Sequence, residues 1–239
     1  TKGFSIQTFL IGVGAVLGSW LPAILAFFGV SESAPDGVVA DNVKYGFYIG
    51  AAVFMISILI TVFKTKEYPP AEYEKYHGKS EHKNKGLGSI FTDIKNMPKT
   101  MKQLGLVQFF SWFALFGMWV FTTDTIATHI MGLPIEDRSS DMYRKAQSWT
   151  GVIFGVYNLV SAVYALCLPF IASKIGRKKT HALSLLIGGI GLISIFFAPN
   201  KEFLLFSMAC VGIAWASILA MPYVILASSI PAGKMGIYM

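Results

Sequence analysis

Trp112, Phe116, Trp119 and Thr123 fall at i, i+4, i+7 and i+11 of the stretch GLVQFFSWFALFGMWVFTTDTIATHIMG, so a helix carries them as one stripe. Two indoles seven residues apart offer flat, amphipathic surfaces of the kind that stack on sugar rings. Taken singly, each tryptophan also reads as an interface anchor or a packing residue of a membrane helix. Asp124 follows directly. A carboxylate at the bilayer centre costs about 2.5–3.5 kcal/mol on insertion scales, so one retained in an apolar helix faces a cavity or a partner. Burial would make it a group able to exchange a proton; its place near the outer end of the stretch equally suits a polar residue of a vestibule. Gln7 and Asn158 are the amides able to meet hydroxyls, and Trp215 supplies a third indole. His77, His82, His129 and His181 are scattered, with no carboxylate or cysteine at ligand spacing, and no phosphate loop or nucleophile elbow occurs. No metal, no cofactor and no enzyme activity are expected.

The elements that position these groups must be membrane helices. Of 239 residues, 54% are hydrophobic and only 14% charged, with a mean hydropathy of +0.57, against about 25% charged in soluble domains. Crossing about 30 Å of hydrocarbon takes about 20 helical residues. Six stretches suffice: Phe4 to Ser31, Tyr45 to Phe63, Gln103 to Pro134 (interrupted by Asp124), Ala146 to Ser173, Thr180 to Asn200 and Phe203 to Gly233. They lack the alternation of barrel strands, and lipid leaves backbone groups no other partners. The expected fold class is an all-α integral membrane protein with six transmembrane helices.

Cytoplasmic loops retain lysine and arginine. Threaded from a cytoplasmic start, the inside receives 15 of the 20 basic residues against 5 acidic ones, while the outside pairs 5 basic with 7 acidic residues. The net charge of +7 is therefore topological, and no nucleic-acid motif competes for it. Residues 64–103 are the one long polar interruption, rich in charge, proline and glycine at first. Leu87, Ile90, Phe91, Ile94, Met97 and Met101 then recur near helical spacing with lysines between, which predicts a helix on the cytoplasmic membrane surface that Pro98 kinks or restarts. That helix reads as a tether covering the inner face, or as a partner-binding switch. The organisation expected is thus 1–63 with two helices, 64–103 as a central cytoplasmic loop, and 104–239 with four.

Polarity separates the helices. The stretches YGFYIGAAVFMISILITVF and ALSLLIGGIGLISIFFA carry little that is polar and are expected at the periphery, whereas the first helix holds Gln7, the third Gln108 and Asp124, the fourth Tyr157, Asn158, Ser161 and Tyr164, and the sixth Trp215. Gly14 and Gly18, and Gly151 and Gly155, form GxxxG pairs that would let the first and fourth helices approach. At about 100° per residue Gln7 shares the first of these faces and Asn158 the second. Gly46 and Gly50 make a third pair, so the motif alone does not decide the contact.

One short loop carries a sharper pattern. Lys174, Gly176, Arg177 and Lys178, followed by Lys179, spell [RK]-x-G-[RK]-[RK], and resemble the loop motif G-x-x-x-D-[RK]-x-G-[RK]-[RK] of the major facilitator superfamily, with Pro169 and Ser173 in place of its glycine and aspartate. A glycine for a tight turn and cations for helix carbonyls or lipid phosphates suit the position. In that family the motif joins helices two and three and recurs between eight and nine. The resemblance implies that the six stretches are helices five to ten of a twelve-helix fold, of which this chain would be a fragment opening on Thr1 and stopping at GKMGIYM. The stretches WFALFGMWVFTTDTIATHIMG, GRKKTHALSLLIGGIGLISIF and GIAWASILAMPYVILASSIPAGKMGIYM are similar to bacterial members of the glycoside-pentoside-hexuronide:cation symporters, the sucrose-transporter-like branch. That resemblance implies a transporter in the cytoplasmic (inner) membrane that moves a glycoside or disaccharide with H+ by alternating access. Its partners would be a sugar, a proton and the bilayer. Trp112, Trp119 and Trp215 would stack on the sugar, Gln7 and Asn158 would bind hydroxyls, and Asp124 would be the proton-linked acceptor, with coupling residues possible on helices one to four as well. A sugar sensor that does not transport is the alternative.

Overall fold

The computed structural model describes residues 2–35, 37–66, 69, 72, 94–134, 138 and 140–230. Six long helices account for most of them: α1 (Lys2–Phe27), α2 (Asp41–Lys64), α3 (Lys99–Thr125), α4 (Asp141–Ile175), α5 (Arg177–Phe196) and α6 (Phe203–Ala227). Each is long and apolar enough to cross a membrane, and no strand occurs among the described residues. The protein is an integral membrane protein. Of the expected surface helix, Leu87, Ile90 and Phe91 lie outside the described residues; Ile94 and Lys95 are helical, and α3 begins at Lys99, directly after Pro98. Pro98 cannot donate, but its carbonyl accepts from Met101 and Lys102 and so opens the helix.

Two compact units divide the chain. One comprises Pro22–Lys102 with Leu226–Met239; the other comprises Thr1–Leu21 with Gln103–Ile225. In the first, α2 is exposed along almost its whole length, with Asn42 alone buried and its Nδ2 donating to the Pro22 carbonyl at 3.3 Å. An apolar helix that buries nothing within its own unit presents its side chains to lipid.

The second unit holds the core. Here α6 is the most buried helix, and α4 follows it. Larger side chains from α3, α4 and α6 (Leu115, Met118, Ile153, Met208, Val211) fill one layer. A second layer, toward the α4–α5 loop, is alanine-rich: Ala165, Ala172, Ala216 and Ala220 surround Leu168 and Met221. Lipid is as apolar as leucine, so helices here associate by close packing rather than by escape from water, and small residues permit that approach.

The contact between α1 and α4 exists, but through a different face of α1. Gly12 is buried, and a Cβ there would come within 2.8 Å of Ala162 Cβ; Gly155 lies so close to the Trp20 indole that any side chain would overlap it. Gly151 is looser: a Cβ there would meet only the Ser19 carbonyl, at 3.8 Å. Gly14 and Gly18 are exposed with nothing nearby, because the packed face of α1 runs through Ser5, Thr8, Gly12 and Val16 instead. Gln7, which shares their face, is exposed too.

Gly176 alone joins α4 to α5. Its φ of 87° is open to glycine and strained for other residues, and its carbonyl accepts from both the amide and the hydroxyl of Thr180. The cations around it divide their tasks. Arg177 Nη1 donates to the Val224 carbonyl of α6 at 3.4 Å, Lys174 Nζ sits 4.3 Å over the Phe170 ring, and Lys178 and Lys179 are exposed.

Candidate functional site

The stripe on α3 meets α6. Trp112, Trp119 and Trp215 make a closed triangle of edge-to-face contacts, with centroids 6.1, 5.7 and 5.5 Å apart, and Tyr157 of α4 adds its ring at 6.4 Å from Trp215. Edge-to-face packing sets the positive rim of one ring on the negative face of the next, which holds each indole in place. Trp215 and Tyr157 are buried, whereas Trp112 is 42% exposed and offers a free surface. Asn158, beside Tyr157, is buried; its Nδ2 donates to the Phe154 carbonyl at 2.9 Å. The structure therefore brings Trp112, Trp119 and Trp215 together, with Asn158 next to their partner Tyr157. It does not bring Gln7 into this wall.

Asp124 lies at the far end of α3 in a polar cluster of its own. Arg138 Nη2 donates to its Oδ2 at 2.8 Å and Tyr143 Oη to its Oδ1 at 2.7 Å. Nearby, Thr123 and Thr150 join their hydroxyls at 3.0 Å, and Ser140 caps α4 by accepting from the Tyr143 amide. Thus the cluster ties the end of α3 to the loop and first turns of α4. The Arg138 side chain is 61% exposed and that of Asp124 26%, so water reaches the pair. An ion pair this open contributes about 1 kcal/mol at most.

Beyond Asp124 the helix widens into a π turn, Ile126–Ile130, where the Met131 amide reaches back to the Ile126 carbonyl. This turn delivers His129 to the end of α5, where its ring stacks on Phe196 at 5.6 Å and Nε2 lies 3.0 Å from the Phe196 carbonyl. An apolar groove of about 330 Å³ runs between α3, α5 and α6 past Met118, Thr122, Leu192 and Met208. None of the three tryptophans lines it. No group of three metal-ligating side chains gathers among the described residues.

Further polar residues lie toward the Gly176 end, among them Gln108 and Tyr164, which the sequence reading counts among the polar groups of their helices without giving them a role. On α5, Thr180, His181 and Ser184 are buried. His181 Nδ1 is 2.9 Å from Ser217 Oγ of α6, and Tyr164 Oη of α4 is 3.0 Å from Ser184 Oγ. On α3, Gln108 stands one turn before Trp112 with its Oε1 buried and unpartnered. The signal for Gln108 was its place four residues before Trp112; that for α5 was a polar run at i, i+1 and i+4.

Comparison with known proteins gives the family. The profile of the Major Facilitator Superfamily matches residues 1–239. Solute carrier family 45 member 3 of Mus musculus is 22% identical over 93% of this chain and 43% of its own length. Proton-associated sugar transporter A of Homo sapiens is 26% identical over 62% of this chain and 21% of its own. An uncharacterised transporter of the same type from Methanocaldococcus jannaschii is 22% identical over 90% of this chain and 46% of its own. The chain thus spans less than half the length of these relatives. No solved structure matches it.

Proposed function

Because the chain belongs to the major facilitator superfamily, we propose that it is part of a secondary active transporter that carries a glycoside, in particular a disaccharide, together with a proton by alternating access. One observation carries the substrate class: three indoles from two helices, locked edge to face, with Trp112 partly open. Such a wall binds a flat, weakly polar face carrying C–H groups, as a pyranose ring does, and gives an ion little. The relative named as a proton-associated sugar transporter supports the same reading.

The wall is made by Trp112, Trp119 and Trp215, with Asn158 as the neighbouring amide. Asp124 is the proton-linked acceptor of the outer end. Its counter-ion Arg138 comes from an exposed loop rather than from a helix. Gly155 and Gly12 hold α1 against α4, and Pro222, which leaves the Ile218 carbonyl without its helical donor, gives α6 a place to bend. In this proposal the helices are five to ten of twelve, the branch is that of the sucrose-transporter-like symporters, and the membrane is a bacterial cytoplasmic one.

Equilibrium binding of labelled sucrose to the full-length protein in detergent tests the wall. W112A and W119A should each weaken binding about tenfold, equivalent to about 1.4 kcal/mol, while thermal unfolding changes little for the half-exposed Trp112. Unchanged affinity in both variants removes the stacking reading.

A further inference from the structure

The two oxygens of Asp124 have partners of different kinds. Oδ1 accepts from the Tyr143 phenol at 2.7 Å, and Oδ2 accepts from Arg138 Nη2 at 2.8 Å. Tyr143 is a fixed partner. It stands in the first turn of α4, its amide donates to the capping Ser140 hydroxyl, and its ring packs on the core layer that holds Leu115 and Met118. The Asp124 backbone is held as well: its carbonyl accepts from the Thr128 hydroxyl at 2.7 Å, and the preceding Thr123 is joined to Thr150 of α4. Arg138 is a loose partner, carried by the loop between α3 and α4 with its side chain 61% exposed.

The two donors answer a proton differently. A phenol keeps its own proton at neutral pH and can donate to a carboxylate oxygen or to the carbonyl oxygen of a neutral carboxyl. A guanidinium carries donors only, and an oxygen that has taken a proton offers it neither a charge nor a good acceptor. Resting on the reading of Asp124 as the proton-linked acceptor, we propose that Tyr143 is its positioning residue: it holds Oδ1, so that Oδ2 is the oxygen that receives the proton, and Arg138 is the counter-ion that the proton displaces.

In the step, an O–H bond forms at Oδ2 with a proton from the outer water, and the hydrogen bond from Arg138 Nη2 breaks. Arg138 keeps its charge and turns to water, while the bond from Tyr143 to Oδ1 survives and keeps the end of α3 tied to α4. The other charged groups described at this end are engaged elsewhere or face water. On α4, Asp141 pairs with Arg144, and Lys145 is exposed. Before α6, Lys201 lies over the Trp149 ring and 3.9 Å from Glu202. Beyond Asp124 on its own element, His129 turns to Phe196 of α5. Glu136 and Asp137 lie outside the described residues.

Proton-driven sucrose uptake by the full-length protein in proteoliposomes, followed against external pH, tests this. Removing a donor from a carboxylate favours its protonated form. Y143F, which keeps the ring and its packing, should therefore move the pH of half-maximal uptake up by about one unit, a tenfold change in the proton concentration required. R138Q should move it up as well. Choline chloride at about 0.5 M screens an exposed charge but not a fixed neutral donor, so the difference between R138Q and wild type should shrink in salt while that of Y143F persists. Y143F that lowers uptake equally at every pH, with its midpoint at the wild-type value, gives Tyr143 a packing role only and overturns the inference. A Y143F shift that salt abolishes, as it does that of R138Q, also overturns it, because the two partners then act alike. D124N that still accumulates sucrose with the gradient overturns the reading of Asp124 itself.

Discussion

The two ends of the core unit treat polar groups in opposite ways. At the Asp124 end they pair off: the carboxylate holds Arg138 and Tyr143, Thr123 holds Thr150, and His129 meets the Phe196 carbonyl. Toward Gly176 pairing is incomplete: His181 Nδ1 meets Ser217 and Tyr164 meets Ser184, yet Gln108 Oε1, Ser161 Oγ and His181 Nε2 each find no partner among the described residues. Satisfied groups hold elements together; unmet ones are tolerated where a ligand completes them. The first end is thus a tie that water can loosen, and the second holds polar atoms that the packing leaves unmet.

Substitutions that remove polar atoms should separate the ends. The largest effect is expected for Asp124→Leu, which strips the acceptor from both Arg138 and Tyr143. A loss of about 1–3 kcal/mol follows from such unpairing, toward the lower value because Arg138 regains water. Thermal unfolding of the full-length protein would show it. Smaller and opposite effects should distinguish Thr150→Val from Ser161→Ala. Thr150 bonds the Ala146 carbonyl and Thr123, so its replacement costs about 1 kcal/mol. Ser161, fully buried and unpartnered, gives up nothing, so its replacement is neutral or stabilising by a few tenths up to about 1 kcal/mol. A Ser161→Ala variant that unfolds as early as Thr150→Val would erase the contrast.

How much of this could be read in the amino-acid order depends on the range of the information. Helix existence is local: uncharged runs of membrane length placed all six helices. The tryptophan stripe is local as well, because i, i+4 and i+7 define a face wherever the helix goes. That its rings would close on Trp215, about a hundred residues later, was not local. The contact of α1 with α4 was foreseen, through Gly155 on the α4 side, but the face of α1 that makes it was not. GxxxG marks a face that permits approach, yet Gly12, outside both pairs, took the contact because Ala162 stood opposite it, while Gly14 and Gly18 stayed exposed. The fifth stretch was bounded from Thr180, but its polarity was judged on ALSLLIGGIGLISIFFA alone, which leaves out Thr180 and His181 of the buried polar face in its first turns. Asp124 stands out in the sequence as a carboxylate in an apolar run, but its partners Arg138 and Tyr143 come from a loop and the next helix, whose fold no spacing rule reaches.

Coupled sugar movement is the central claim, and uptake of radiolabelled sucrose tests it most directly. The full-length protein in proteoliposomes should accumulate sucrose above the external concentration when an inward proton gradient is imposed, and only equilibrate without one. Accumulation that ignores the gradient, or sucrose that binds without entering the vesicles, would contradict the account.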